Sequence, residues 1–129
     1  MTALEDFLNM PNVADEVEEI YVNKRLGKFK VKPMTIDKHK EFQDRCKGRI
    51  NKDGVSFDQA KFNLLIIENQ VIEPNFSNAE FLSKAGFTNP REFIKAKFKP
   101  GEVLEIAQKV CQISGFETDI NEDIEEAKN

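Results

Sequence analysis

The chain has 129 residues, a formal net charge of −4, 33% charged and 40% hydrophobic residues, and eleven phenylalanines beside a single tyrosine. That length suits one domain, 1–129, able to bury about two-thirds of the surface its unfolded chain exposes. No run approaches the ~18 apolar residues of a membrane helix, and the acidic opening MTALEDFLNM lacks the basic flank of a secretory signal, so an intracellular product is expected.

The first element reads as a short helix. Thr2 and Glu5 have capping-box spacing, Leu4, Phe7 and Leu8 share a face, and Pro11 stops the run. EVEEIYVN and GKFKVKPM then alternate apolar and polar residues, with Ile20, Val22, Phe29 and Val31 on the apolar side. Asn23 to Gly27 is a plausible hairpin connection, Gly27 supplying positive φ. A hairpin alone is marginal in water, so this one must pack on the helices or pair with another chain's edge.

The remainder reads as helices. Thr35 caps one from Ile36 to about Arg49, with Ile36, Phe42, Cys46 and Ile50 as its apolar positions. After the turn Asn51–Gly54, Ser56 and Gln59 form a capping box for a helix running to about Val71. Its stripe Phe57, Ala60, Leu64, Ile67 and Val71 is widened almost all round by Phe62, Leu65 and Ile66, which makes it central or interfacial. Pro74 in VIEPNF ends it. Ser77 and Glu80 cap the next helix, which carries Phe81, Leu82 and Ala85 and stops at Gly86. Asn89, Pro90 and Glu92 start another, bearing Phe93, Ile94 and Phe98. Beyond Lys99-Pro100-Gly101 an amphipathic helix places Val103, Leu104, Ala107, Val110 and Cys111 inward and closes on Gly115-Phe116. A final acidic helix, 119–128, holds Ile120, Ile124 and Ala127 and is left free to be mobile. The fold class is α+β, mostly α: a β-hairpin (1–34, with the short helix) packed on a bundle of about five to six short helices, 35–129 holding the helical part.

Charge is unevenly spread. Residues 1–20 hold six acids and no Lys or Arg, while residues 21–52 hold eleven Lys or Arg against three acids. A basic stretch can mark nucleic acid. Here Lys28, Lys30 and Lys32 alternate with Phe29, Val31 and Pro33, as on a half-buried strand, beside the acids Glu16, Glu18 and Glu19. No aromatic interleaves on the lysine face to stack a base.

The search for chemistry is mostly negative. His39 stands alone on a Lys-rich helix face, and Cys46 and Cys111 read as reduced core thiols. No CxxC or HxxxH spacing offers a metal site. The Asp53-Gly54 stretch fails as a calcium loop, which would start at Arg49 and end at Ala60 without its bidentate carboxylate. No glycine-rich phosphate loop follows a strand, and the acids at 117–126 read as a solvated face. No cofactor is expected, and the chain does not read as an enzyme.

Five stretches, in this order, carry a resemblance: VIEPNF at 71–76, SNAEF after it, KFKPGEVLEIAQKV at 97–110, SGF at 114–116 and IEEAKN at 124–129. Together they resemble the XkdN-like tail assembly chaperones of phages and phage-like elements; the basic hairpin agrees more loosely, and Lys99 stands where a more apolar residue is usual. The resemblance implies a non-enzymatic protein of the bacterial host's cytoplasm, missing from the mature virion. It would bind apolar helical segments of the tape measure protein until the tail tube polymerises around it. It also implies contact with the major tail tube protein through a form extended by programmed frameshift near Ala127-Lys128-Asn129, and leaves room for self-association. No membrane or nucleic acid enters this reading. Phe76, Phe81, Phe87 and Phe98 are the candidate partner-binding residues, with Pro74-Asn75-Phe76 and Lys99-Pro100-Gly101 shaping the edge of one groove. Two other readings stay open: a structural tail or adaptor protein of the virion, and a small DNA-binding regulator using 24–52.

Overall fold

In the computed structural model, which describes residues 3–116, a short helix α1 (Ala3–Leu8) and a 3-10 turn precede the alternating segments. Those segments form an antiparallel pair, β1 (Glu18–Asn23) and β2 (Gly27–Val31), with Ile20 opposite Phe29 and Tyr21 opposite Lys28. Gly27 takes φ 77°, the left-handed backbone its position requires. Phe29 and Val31 turn into the core, and Lys28 and Lys30 turn to water, where they meet Glu19 and Glu73 at 3.7 Å each.

A third strand was not foreseen. Val71–Glu73, β5, pairs with the free side of β2, so the sheet runs β1-β2-β5. Pro74 pushes the residue before it out of helical backbone, and the released peptide groups of 71–73 must find other partners. The strand beside them supplies these. Gln70 tightens the junction: its side-chain amide donates to the carbonyls of Lys32 (3.1 Å) and Pro33 (2.9 Å), and its own carbonyl accepts from Lys32 N–H at 3.0 Å.

Thr35 caps α2 (Ile36–Cys46) through Lys38 N–H at 3.1 Å, but the helix ends three residues before Arg49. Lys47–Asn51 (β3) leaves it and pairs with Gly54–Phe57 (β4), Ile50 lying opposite Val55. Gly48 weakens helix by about 1 kcal/mol relative to Ala, and Gly54, at φ 109°, lets the chain reverse. Ile50 is therefore exposed rather than inner, and Ile36, the first residue of α2, is exposed as well. Ser56 belongs to the strand, so Asp58 caps α3 (Gln59–Gln70) instead, accepting from Lys61 N–H at 3.0 Å.

Helix α3 is central, as its all-round apolar pattern required. It buries Phe62, Leu65, Ile66 and Ile67 and contacts α2, β5, α5 (Pro90–Lys97) and α6 (Pro100–Ile113). Before α5 comes α4 (Ala79–Ala85), capped by Asn78 through Phe81 N–H at 2.9 Å. Ser77 stands one residue too early for that role and lies in the preceding turn, where its N–H donates to Asn75 Oδ1 at 3.0 Å. Asn89 caps α5 and Pro90 opens it as read. On α6 the buried residues are Glu102, Ile106, Ala107 and Val110, whereas Leu104 faces solvent. Val103, Ile106, Ala107 and Val110 follow the spacing of one face, and Leu104 falls beside it. The helix expected at 119–128 lies outside the described residues.

Candidate functional site

The VIEPNF corner answers to local rules. The end of α3, the pairing of β5 on β2 and the cis Glu73–Pro74 peptide bring the chain to Asn75, whose side chain holds the following turn. Phe76 then drops inward and is 7% exposed. Its ring meets Phe29 at 5.8 Å, Phe98 at 5.5 Å and Phe93 at 5.7 Å.

Phe93 is the hub of the remaining contacts. Phe81 packs edge-on to it at 5.0 Å and Phe87 at 5.5 Å. Phe76, Phe81, Phe87 and Phe98, far apart in the chain, are thus brought into one aromatic cluster. Phe98 is tied in through Phe76, and Phe93, which joins Phe76, Phe81 and Phe87, was not among the four. A signal for it existed: Arg91, Glu92, Lys95 and Lys97 take the polar positions of α5, so Phe93 and Ile94 had to define its inner side.

The four candidates differ in what they show to water. Phe76 is core. Phe87 and Phe98 are half-buried, and Phe81 is 41% exposed. Phe81 lines an open depression of about 420 Å³ together with Pro74, Asn75, Phe76, Asn78, Glu80 and Lys84. Glu80 and Lys84 pair with each other at 3.3 Å on its rim. Phe98 lines a different depression of about 300 Å³, between α3, α5 and α6, with Leu64, Ile94, Pro100 and Val103. Pro74, Asn75 and Phe76 thus line one hollow and Pro100 the other, and the contact between Phe76 and Phe98 joins the two.

The cluster is held against the hairpin by a polar lock. Arg25, in the turn between β1 and β2, pairs through its Nη2 with Glu102 Oε1, donates from Nε to Oε2 at 2.9 Å, and reaches the Lys97 carbonyl at 2.8 Å. Asn23 Nδ2 adds a bond to Glu102 at 2.8 Å, and Lys99 N–H another at 2.7 Å. Glu102 is thus buried and fully engaged, its carboxyl held at about 2 by Arg25 first and by Asn23 and Lys99 after it. Neither Asn23, Arg25 nor Glu102 was anticipated as a group. Their separation in the chain, 77 positions from Arg25 to Glu102, hid it.

Reactive chemistry does not gather here. Among the described residues no group of three or more His, Cys, Asp or Glu is placed to hold a metal. Cys46 and Cys111 are unbonded thiols, both raised by burial. His39 packs on Phe116 and Phe62 at 4.7 and 6.1 Å. In the basic stretch, Lys28, Lys30, Lys38, Lys40 and Lys47 all pair with carboxylates, in addition to Arg25. No described helix is long and apolar enough to cross a membrane. What the corner offers is apolar area with rigid edges.

Comparison with known proteins decides the family. The profile of the phage XkdN-like tail assembly chaperone proteins matches residues 4–128. The chain belongs to that family. This tail assembly chaperone also resembles in fold the crystal structure of the protein yqbn, from a structural genomics consortium, with a TM-score of 0.60 and 23% identity over 79% of this chain and 87% of that one. No curated protein matches.

Proposed function

We propose that this chaperone is a non-enzymatic holder of the tape measure protein, covering apolar helical segments with its phenylalanine cluster until the tail tube polymerises. The observation that carries the reading is the exposed Phe81 edge, braced by Phe93 and Phe76 beside an open apolar hollow. An amphipathic helix presents anchors one turn apart, and a rigid hollow accepts them without reordering either side. Aromatic pairs contribute about 0.5–1.5 kcal/mol each beyond their buried area. Several such contacts suppress aggregation yet yield to a competing tube subunit. The work takes place in the host cytoplasm, and the chaperone leaves before the virion is complete.

Co-expression of the full chain with a tape measure fragment tests this. Phe81→Asp with Phe87→Asp is expected to lower the soluble fragment at least tenfold at unchanged circular dichroism, while Leu104→Asp, on an exposed site of α6, leaves it unchanged. Equal solubilisation by the double variant would remove the cluster from the site. Phe76→Asp reports folding more than binding, because that ring is core; a folded Phe76→Asp chain that still captures the fragment would exclude Phe76 as a contact. The extended form that would reach the tube protein rests on the codons of Ala127-Lys128-Asn129, which lie outside the described residues. Sequencing the gene checks it: codons that break the heptamer A AAA AAC rule that slippage site out.

A further inference from the structure

Residues 3–17 form an arm outside the packed body of the fold. From Leu4 to Asp15 every residue is exposed. Helix α1, six residues long, shares no broad contact with any other element. Leu4, Phe7 and Leu8 stand at i, i+3 and i+4 and make one apolar stripe, Leu8 being 82% exposed. So short a helix is marginal in water by itself, and an uncovered stripe of this kind marks a contact surface. The arm holds Glu5, Asp6, Asp15 and Glu16 and no Lys or Arg. The surface that suits it is therefore apolar with a basic rim.

The hollow of about 300 Å³ between α3, α5 and α6 has both properties. Leu64, Ile94, Phe98, Pro100 and Val103 wall it, and its charged lining residue is Lys95. Lys97 and Lys99 follow in the chain. Among the described residues none of these three lysines is paired with a carboxylate. We infer that α1 of a second copy of the chain docks in this hollow, Phe7 and Leu8 entering between Leu64, Phe98 and Val103, with the arm's carboxylates facing Lys95.

The arm cannot serve its own copy in this way. Val13 and Glu16 line a depression with Met34 and Ser114, which fixes the root of the arm at the C-terminal end of α6. The hollow lies at the other end, beside Pro100 and Val103, and the 14 residues of α6 span about 21 Å. Fully extended, the stretch from Val13 back to Leu8 covers at most about 18 Å, so a helical α1 falls short. Across a two-fold axis each arm meets the other copy's hollow. One small contact becomes two, and the assembly closes as a dimer. The stripe and the hollow are then covered together. This inference stands apart from the tape measure reading: it uses neither Phe81 nor Phe87, and its test contains no tape measure fragment.

Sedimentation equilibrium of the native full chain, from micromolar to millimolar concentration, tests the docking, together with a photoreactive phenylalanine analogue placed at position 7. The expected result is a monomer–dimer equilibrium, with photoproducts in the dimer that join position 7 to Leu64 or to the stretch 94–103. Phe7→Asp with Leu8→Asp should weaken dimerisation at least tenfold at unchanged circular dichroism, since both residues are exposed in the monomer. Lys95→Glu should weaken it severalfold. A chain that stays monomeric throughout, photoproducts confined to monomers or to other surfaces, or either variant dimerising as well as the native chain would each overturn the proposal.

Discussion

Glu102 stands in the first turn of α6, where a carboxylate already suits the positive end of a helix, yet its strongest partner is Arg25, 77 positions earlier. Burying a carboxylate is costly unless its oxygens are bonded, and here both are. The folded carboxyl is lowered from 4.5 to about 2. A lowered pKa means that the folded state resists protonation, so the stabilisation is complete above the unfolded value of 4.5 and drains away as pH falls through about 2. Glu102→Gln should therefore be clearly less stable than the native chain at about pH 7. The gap in urea midpoint should close progressively below about pH 4.5. A gap that stays constant across that range would show that the Arg25 pair does not set the pH dependence.

At the scale of elements, two helices stop in the same way. After α4, Gly86 takes φ 84° and Phe87 N–H bonds the Leu82 carbonyl at 2.9 Å; after α6, Gly115 takes φ 94° and Phe116 N–H bonds the Cys111 carbonyl at 3.1 Å. Each glycine lets the chain turn left-handed, and each phenylalanine that follows is thereby aimed: Phe87 at Phe93, Phe116 at His39. No atom would crowd a Cβ at Gly86 within 4 Å, so the cost of Gly86→Ala is backbone conformation alone, about 1–2 kcal/mol in chemical denaturation. Substitution by Asn, which tolerates this backbone better, should recover part of that loss. Equal stability of Gly86→Ala and the native chain would mean that the α4–α5 connection rearranges freely.

For the molecule as a whole, α3 is the common neighbour of α2, β5, α5 and α6. Ile66 and Ile67 at its centre are fully enclosed. Ile66→Ala leaves a cavity in contact with several elements at once and should cost about 2–5 kcal/mol. Because the sheet, the phenylalanine cluster and α6 all rest on this helix, we expect circular dichroism and tyrosine fluorescence to report one coincident transition, shifted in the variant. Two separated transitions would show that the hairpin folds apart from the helices.

Local rules made most elements legible. The alternation of β1 and β2, Pro90 at a helix start, and the Gly86 and Gly115 stops act within a few residues of themselves, and the all-round apolar pattern of α3 forces it to the centre wherever its neighbours lie; Pro100, read as part of a break, instead opens α6. Of the three missed strands, β5 depends on β2, far away in the chain and outside any short window, while β3 and β4 pair with each other and displace the last turn expected of α2. The cap shifts from Ser56 to Asp58 and from Ser77 to Asn78 follow from that same backbone. In the aromatic cluster the chain itself named Phe76, Phe81, Phe87 and Phe98 as apolar and adjacent to turns; only the three-dimensional packing made Phe93 their hub, sank Phe76 into the core and left Phe81 at the surface. Patterning determines that a side chain must leave water, because that depends on its own surface. Which neighbours receive it, and how much of it stays uncovered, depends on distant segments meeting, as Arg25 meets Glu102.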